Sequence, residues 1–155
     1  MKVAIASDHA GYELKEKMVP FIRTLGYELS DLGPDGPDRV DYPDYAIKLC
    51  QQVVSGQFDR GILICGTGVG MAITANKVPG IRCGSVSEAY SARRSRQHNN
   101  ANVIAFGARV VGEDVAQDIV RAFLETEFEG GRHADRVQKI IDYEQKKRPG
   151  LIQSM

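Results

Sequence analysis

The chain has 155 residues, of which 43% are hydrophobic and 26% charged, and its 20 basic side chains balance its 20 acidic ones. This composition is typical of one globular domain, and the zero net charge provides no overall basic character for binding nucleic acid or anionic membranes. No apolar run approaches the roughly 18 residues of a membrane span, the amino terminus lacks a signal peptide's apolar core, and three widely spaced cysteines form no disulfide framework. We therefore expect a cytoplasmic protein.

The first half of the chain alternates strand and helix patterns. Residues 2–6 form a short run of branched side chains that predicts a buried strand, and residues 27–31 predict a second, weaker strand. Between them, apolar residues recur at steps of three and four, which indicates a helix that ends at Gly26. A loop rich in glycine and proline spans residues 32–42, and residues 43–54 follow as a helix.

The central stretch gives the clearest strand signal. Residues 61–65 are an apolar run bounded by glycines, which is typical of a strand buried on both faces, and residues 69–77 predict the helix after it. Residues 80–86 and 102–106 predict the fourth and fifth strands.

Three more helices are predicted in the second half. The first ends near Gln97, with Ser85 or Ser87 as its amino-terminal cap, and the last begins at residues 132–135 and continues to Lys147. The helix between them turns one apolar face inward. The inward residues expected on that face are Val115, Ile119, Ala122 and Phe123.

Strands and helices alternate five times with no break in composition. This order predicts a Rossmann-like five-stranded parallel sheet inside a three-layer α/β/α sandwich. We expect one domain over residues 1–147 and a C-terminal tail over residues 148–155.

The loop after the central strand is the strongest candidate for a catalytic site. Cys65 ends that strand and is followed by Gly66, Thr67, Gly68 and Gly70, so backbone N–H groups can converge on a developing oxyanion. Ligands bind at the carboxyl ends of strands in open α/β sheets, and a thiol there is expected to have a lowered pKa. The alternative roles are structural, with Cys65 as a small buried side chain and the glycines as a tight turn. The loop matches neither the dinucleotide-binding fingerprint nor the phosphate loop of nucleotide-binding proteins.

Other polar residues follow the ends of predicted elements. Asp8 and His9 come after the first strand, which places them at the same end of the sheet as Cys65, although Asp8 is equally suited to cap the next helix. His98 ends a helix, where the alternative role is a charge at the helix carboxyl terminus. No cysteine and histidine spacing matches a zinc site, so we expect no metal.

Two arginines begin the last predicted helix four residues apart. Arg132 and Arg136 therefore share one face, and a pair of guanidinium groups suits a phosphate. The alternative is a solvated face on which these side chains pair with Asp135 or nearby glutamates.

As a set, these features resemble the type B ribose-5-phosphate isomerase family, whose fold is shared with the galactose-6-phosphate isomerase subunits. The matching stretches run from the first strand to the last helix and cover nearly the whole chain. They are residues 7–11, 41–43, 64–70, 75–77, 95–99, 105–112 and 130–133.

The resemblance implies an aldose–ketose isomerase of the pentose phosphate pathway that interconverts D-ribose 5-phosphate and D-ribulose 5-phosphate without metal or cofactor. Carried over by position, Cys65 moves a proton between C2 and C1 through an enediolate. His98, with Asp8 and Thr67 nearby, opens the sugar ring. The substrate-binding residues implied are Asp8, His9, Tyr42, Gly66, Thr67, Gly68, Val69, Gly70, Asn99, Arg109, Arg132 and Arg136. Of these, the resemblance assigns the phosphate to His9, Arg109, Arg132 and Arg136.

The resemblance also bears on assembly and leaves alternatives open. Similar proteins are dimers or tetramers that build each site from two subunits, so we expect a homodimer or homotetramer. Asn100 stands where the family commonly has aspartate, which changes the charge beside His98. The alternatives are an isomerase of a six-carbon substrate, allose or galactose 6-phosphate, and a non-catalytic flavodoxin-like module that binds a nucleotide or a partner.

Overall fold

The computed structural model describes residues 1–146 as a sheet of five strands with helices on both faces. The strands are β1 Lys2–Ser7, β2 Glu28–Asp31, β3 Arg60–Cys65, β4 Cys83–Ser85 and β5 Val103–Gly107. The helices are α1 Tyr12–Thr24, α2 Tyr42–Val54, α3 Val69–Ala75, α4 Ala89–Asn99, α5 Glu113–Glu125 and α6 Arg132–Gln145. Among these residues, no helix has the length and apolar character needed to cross a membrane. The tail expected at residues 148–155 lies outside the described part of the chain.

All strand pairs are parallel, in the order β2-β1-β3-β5-β4. The central strand β3 is buried along its whole length, as its continuous apolar run predicts. In register, Cys65 lies opposite Gly107 of β5, so the end of the central strand faces a glycine. The predicted three-layer α/β/α sandwich with a five-stranded parallel sheet is confirmed.

Two hydrophobic cores cover the two faces of the sheet. Alternate residues of β3 divide between them, because successive side chains of a strand point to opposite faces. Ile62 and Ile64 pack with α1, α4 and α5, whereas Leu63 and Cys65 pack with α2 and α3. Phe106 of β5 is fully buried in the first of these cores.

The direction of the helices decides which end of the sheet each loop reaches. Every strand of the parallel sheet ends at the same side, which we call the carboxyl end of the sheet, and Cys65 and Gly107 lie there. Helix α4 starts after β4 at that end and returns, so its last residues, His98 and Asn99, lie at the opposite, amino end, just before β5. The loop before α6 is at the amino end too, since the Glu129 N–H donates to the Gln97 carbonyl at 3.1 Å.

Two local predictions about the helices are wrong. Ile119 and Phe123 of α5 are buried as predicted, but Val115 is 41% exposed and its neighbour Ala116 is buried instead. Neither Ser85 nor Ser87 caps α4, because Ser85 belongs to β4 and the Glu88 carboxylate accepts the Ser91 N–H. A carboxylate at a helix amino terminus stabilises the exposed N–H groups as a serine hydroxyl does.

The fourth strand is also shorter than the predicted residues 80–86, and α3 ends at Ala75 instead of residue 77. Asparagine side chains bond the backbone here in place of a strand partner. The Asn76 amide donates to the Cys83 carbonyl at 3.0 Å and accepts the Cys83 N–H at 2.8 Å, and Asn102 accepts the Arg82 N–H at 2.8 Å. Strand propensity alone does not reveal such side-chain substitutes.

A buried arginine at the amino end of the sheet provides a test of the packing. The Arg60 guanidinium donates to the carbonyls of Phe123 and Leu124 at 2.7 and 3.0 Å and so satisfies the end of α5. Arg60→Ala leaves these buried acceptors without a donor, and we expect a loss of about 2–4 kcal/mol in the free energy of unfolding. Urea denaturation measures it. The control is Arg121→Ala, which removes an exposed pair with Glu125 and should cost less than about 1 kcal/mol.

Candidate active site

A cleft of about 430 Å³ opens at the carboxyl end of the sheet, beside the end of the central strand. It collects most of the residues that the sequence pointed to at this end. Its lining includes Asp8, His9, Tyr42, Cys65, Gly66, Thr67, Val69, Gly70 and Arg109. Ala10 and Ile73 complete the lining, and Gly68 lies in the same loop.

The Cys65 sulfur is held by the turn that follows it. The Gly68 N–H donates to Cys65 Sγ at 3.1 Å, and the residue is only 4% exposed. Gly68 has a φ of 82°, and a Cβ there would lie 2.8 Å from the backbone of Phe106. Only glycine fits both conditions, so the turn can lie directly on β5 while aiming its N–H at the sulfur.

The other two cysteines have different surroundings. Burial raises the pKa of the Cys50 thiol to about 12, and burial also raises the pKa of Cys83. Both side chains therefore remain thiols at neutral pH. Cys65 is the cysteine of the described chain that combines an amide donor with a polar cleft.

Glycine spacing shapes the rest of the loop. A Cβ on Gly70 would come within 2.7 Å of the Tyr42 ring, so glycine lets this aromatic side chain pack against the start of α3. Thr67 Oγ1 accepts the Val69 N–H at 3.2 Å, which orients the hydroxyl beside Cys65. The Arg109 side chain lies next to Gly66, and the backbone N–H of Arg109 donates to the Gly66 carbonyl at 3.0 Å.

Asp8 and His9 close the cleft on the side of β1. One Asp8 carboxylate oxygen accepts the Gly11 N–H at 3.0 Å, which orders the turn before α1, but the cap residue of that helix is Gly11 and not Asp8. His9 Nδ1 lies 3.1 Å from the Val40 carbonyl and 3.2 Å from the Val40 nitrogen. This contact ties the glycine- and proline-rich loop of residues 32–41 to the rim of the cleft.

The remaining predicted residues do not join Cys65 within one chain. His98, Asn99, Arg132 and Arg136 belong to the end of α4 and the start of α6, at the amino end of the sheet. Asn99 lines a separate cavity of about 360 Å³ beside β4. The expected proximity of His98 to Asp8 and Thr67 is therefore not found inside a single subunit.

His98 has an aromatic partner that the sequence analysis left without a role. Its ring stacks on that of His133, with centroids 4.1 Å apart and planes 10° from parallel. Burial lowers the pKa of His133, and the nearby positive charges of His98, Arg132 and Arg136 lower it further, while Glu129 acts in the opposite direction. The sequence signal that could have identified His133 as a buried residue is its spacing of four from Val137, because both residues lie on the buried face of α6.

The Asn100 side chain forms a hydrogen bond with a buried arginine. Asn100 ends α4 with a φ of 47°, and its side-chain oxygen accepts a bond from Arg96 Nη1 at 3.0 Å. Arg96 also donates to the carbonyls of Ala101 at 2.6 Å and Thr126 at 3.1 Å, and burial lowers its pKa to about 10. An aspartate at this position would therefore place a negative charge beside Arg96.

Within residues 1–146, one group of side chains brings metal-ligating atoms together. Ligand atoms of His98, Glu129 and His133 lie within 4.8 Å of one another. The two imidazole rings are stacked, so their lone pairs lie in parallel planes and do not converge on one point. A shared ion would require one ring to turn away from the stack.

The contact between the cleft loop and β5 can be tested at Gly107. A Cβ at this position would lie 2.5 Å from the Thr67 backbone and 2.7 Å from the Gly66 carbonyl. We expect Gly107→Ala to lower the free energy of unfolding by about 1–3 kcal/mol and to displace the loop, because backbone atoms cannot yield as side chains do. The measurements are urea denaturation and the alkylation rate of Cys65 by mass spectrometry. Gly36→Ala, where a Cβ meets nothing within 4 Å, should change neither.

Comparison with known proteins agrees with this architecture. The sequence model of the Ribose/Galactose Isomerase family matches residues 3–140. Ribose-5-phosphate isomerase B of Escherichia coli is 49% identical over 94% of this chain and 98% of its own length, and D-erythrulose-4-phosphate isomerase of Pectobacterium atrosepticum is 43% identical over 96% and 98%. The structure of Clostridium thermocellum ribose-5-phosphate isomerase B superposes with a TM-score of 0.91 at 54% identity, covering 93% of this chain and 97% of that one. The chain therefore belongs to the Ribose/Galactose Isomerase family, among the type B ribose-5-phosphate isomerases, and it is an isomerase.

Proposed function

We propose that this protein interconverts D-ribose 5-phosphate and D-ribulose 5-phosphate by proton transfer at Cys65, with no metal or cofactor. The observation that carries the proposal is the 3.1 Å bond from the Gly68 N–H to Cys65 Sγ at the wall of a polar cleft. The N–H donor fixes the sulfur at the cleft wall, and the thiolate is the form of a cysteine that can accept a proton.

The cleft supplies the groups that an aldose–ketose exchange needs. In the open-chain aldose, the Cys65 thiolate takes the proton from C2, and the electron pair of that bond forms the C1–C2 double bond of an enediolate. The electron pair of the C1 carbonyl double bond moves to O1. Transfer of the O2 proton to O1 and return of the proton from Cys65 to C1 then form the carbonyl at C2, give the ketose and restore the thiolate. Since the Gly68 N–H is directed at the sulfur and the Val69 N–H at Thr67 Oγ1, the donors for the enediolate oxygen are the other amides of the loop, those of Gly66, Thr67 and Gly70, and the Thr67 hydroxyl.

We further propose that the complete site takes residues from two copies of the chain. Cys65 lies at the carboxyl end of the sheet, while His98, Asn99, Arg132 and Arg136 lie at the amino end. In a symmetric dimer the amino end of one subunit can face the carboxyl end of the other, which brings both groups to each of two identical sites. Val69 and Ile73, 53% and 59% exposed beside the cleft, offer an apolar surface for that contact.

In such a site the partner's groups complete the reaction. Ribose 5-phosphate is mainly a closed furanose, so a proton must pass between ring oxygen and O1 before Cys65 can act, and we assign this step to the partner's His98. The partner's Arg132 and Arg136 bind the phosphate together with His9 and Arg109, because guanidinium groups suit a dianion. Asn99 binds sugar hydroxyls, and Tyr42 packs along the cleft wall.

The main competing assignment is a sugar phosphate with four or six carbon atoms instead of five. A relative named for a four-carbon phosphate and the alternatives of allose and galactose 6-phosphate make size selection the point to test. The loop of residues 32–41, held by His9, borders the cleft, and we expect it to set the cleft's depth. Comparing kcat/KM for four-, five- and six-carbon aldose phosphates decides it: a higher value for a six-carbon or four-carbon substrate would replace ribose 5-phosphate in the proposal.

Replacing the proposed base tests the chemistry directly. We expect Cys65→Ala to lower kcat for ribose 5-phosphate by about 10³-fold or more, because the proton carrier is lost while the fold remains. A coupled assay of ribulose 5-phosphate formation measures it. Cys50→Ala is the matched control: this cysteine lies in the core away from the cleft, so the variant should lose stability and keep its turnover. Near-normal turnover of Cys65→Ala would rule out the thiolate mechanism.

Mixing two inactive variants tests the shared site. Cys65→Ala and His98→Asn each damage a different half, so a hybrid dimer retains one intact site out of two. Random pairing makes half of the dimers hybrid, and we therefore expect about a quarter of wild-type activity when the two variants are refolded together. An inactive mixture that contains hybrid dimers by mass spectrometry would show that Cys65 and His98 do not act in one shared site.

A further inference from the structure

The stacked rings of His98 and His133 form a structural unit at the amino end of the sheet. Their centroids are 4.1 Å apart and their planes nearly parallel, and both belong to the same chain, one on α4 and the other on α6. The stack therefore needs no residue from a second subunit. His133 is 6% exposed and His98 is more accessible, so only the outer ring of the pair can reach a ligand.

The backbone before α6 is built to deliver His133 to this position. Gly130 and Gly131 have φ values of 68° and 56°, and the ψ of Gly131 is −131°, a combination essentially restricted to glycine. The Glu129 N–H donates to the Gln97 carbonyl at 3.1 Å, and the His133 N–H donates to the Gly130 carbonyl at 3.1 Å. The Glu129–Gln97 bond attaches the loop before α6 to the last turn of α4, and the His133–Gly130 bond closes the glycine turn that begins α6.

The charges around the pair favour a neutral inner ring. His133 faces His98 from α4, Arg132 and Arg136 from its own helix, and the Glu129 carboxylate at 3.5 Å from Nε2. Burial and the nearby positive groups lower the pKa of His133, which favours the neutral form of this ring. A neutral ring can stack against a protonated one without charge repulsion.

We propose that His133 is a positioning residue for His98, whose ring plane it holds by stacking so that the imidazole is oriented for opening the sugar ring. The inference rests on the proposed function, because only that function gives His98 a proton to move. An unsupported histidine at a helix end rotates about two side-chain torsions, and a flat partner removes much of that freedom before substrate arrives. Such preorganisation is worth up to about a hundredfold in rate when the geometry is exact to within an ångström.

Three substitutions separate stacking from the other roles that His133 could have. His133→Phe keeps a flat ring but removes both ring nitrogens, and with them the titratable proton and the side chain's hydrogen bonds. His133→Leu fills similar space without a flat face. His133→Ala removes both, and if this variant unfolds, the comparison of Phe with Leu still decides. Lys139→Ala, an exposed position further along α6, is the control for a general effect on the helix.

Steady-state kinetics on ribose 5-phosphate gives the first readout. We expect kcat to fall about ten- to hundredfold in the Leu and Ala variants with KM little changed, and to stay within about threefold of wild type in the Phe variant. A Phe variant as slow as the Leu variant would overturn the proposal, because the imidazole itself would then be required. A raised KM in all three would also overturn it and would make His133 a phosphate ligand instead.

Nuclear magnetic resonance of His98 gives a second readout that does not depend on activity. Its Cε1–H signal should carry a ring-current shift in wild type and in His133→Phe, and lose it in His133→Leu. If wild type shows this shift but does not convert ribose 5-phosphate, the proposed function fails, and the positioning role fails with it. If wild type converts the sugar and His133→Leu loses the shift while keeping full kcat, only the positioning role fails.

Discussion

Everything at the candidate site depends on a backbone-to-backbone contact between the Cys65–Gly68 turn and the end of β5. Gly68 lies against Phe106, and Gly107 lies against Gly66 and Thr67, at distances that leave no room for a Cβ on either side. This contact lets the turn pass directly over the neighbouring strand and direct one N–H at the sulfur. A cysteine can thus stand at the end of a fully buried strand and still border a cleft.

The second constraint is the separation of the two groups of polar residues by the length of the sheet. It follows from connectivity, since each helix that leaves the carboxyl end must return its last turn to the amino end before the next parallel strand starts. No rearrangement of side chains brings His98 to Cys65 in one chain. If both residues serve the same reaction, assembly is a requirement of the chemistry, and contacts between subunits become part of catalysis.

Much of the fold and half of the site could be predicted from the sequence, because those parts follow from local patterns. The run before Cys65, the spacing of the glycines and the strand–helix alternation specify a parallel sheet and a loop at its carboxyl end. Other features depend on contacts that are remote in sequence. Glu88 caps α4 in place of the expected serine, and asparagine side chains beside β4 bond the backbone in place of a strand partner. The stack of His98 on His133 can be predicted only if the packing of α6 on α4 is known.

The left-handed residue at the end of α4 illustrates how such a protein can diverge. Asn100 occupies a conformation that asparagine and aspartate both tolerate, and it meets a buried guanidinium. Exchange between these two residues alters one unit of charge while preserving size, shape and the path of the backbone. Mutational drift at this single codon can therefore tune the electric field at the Arg96 guanidinium.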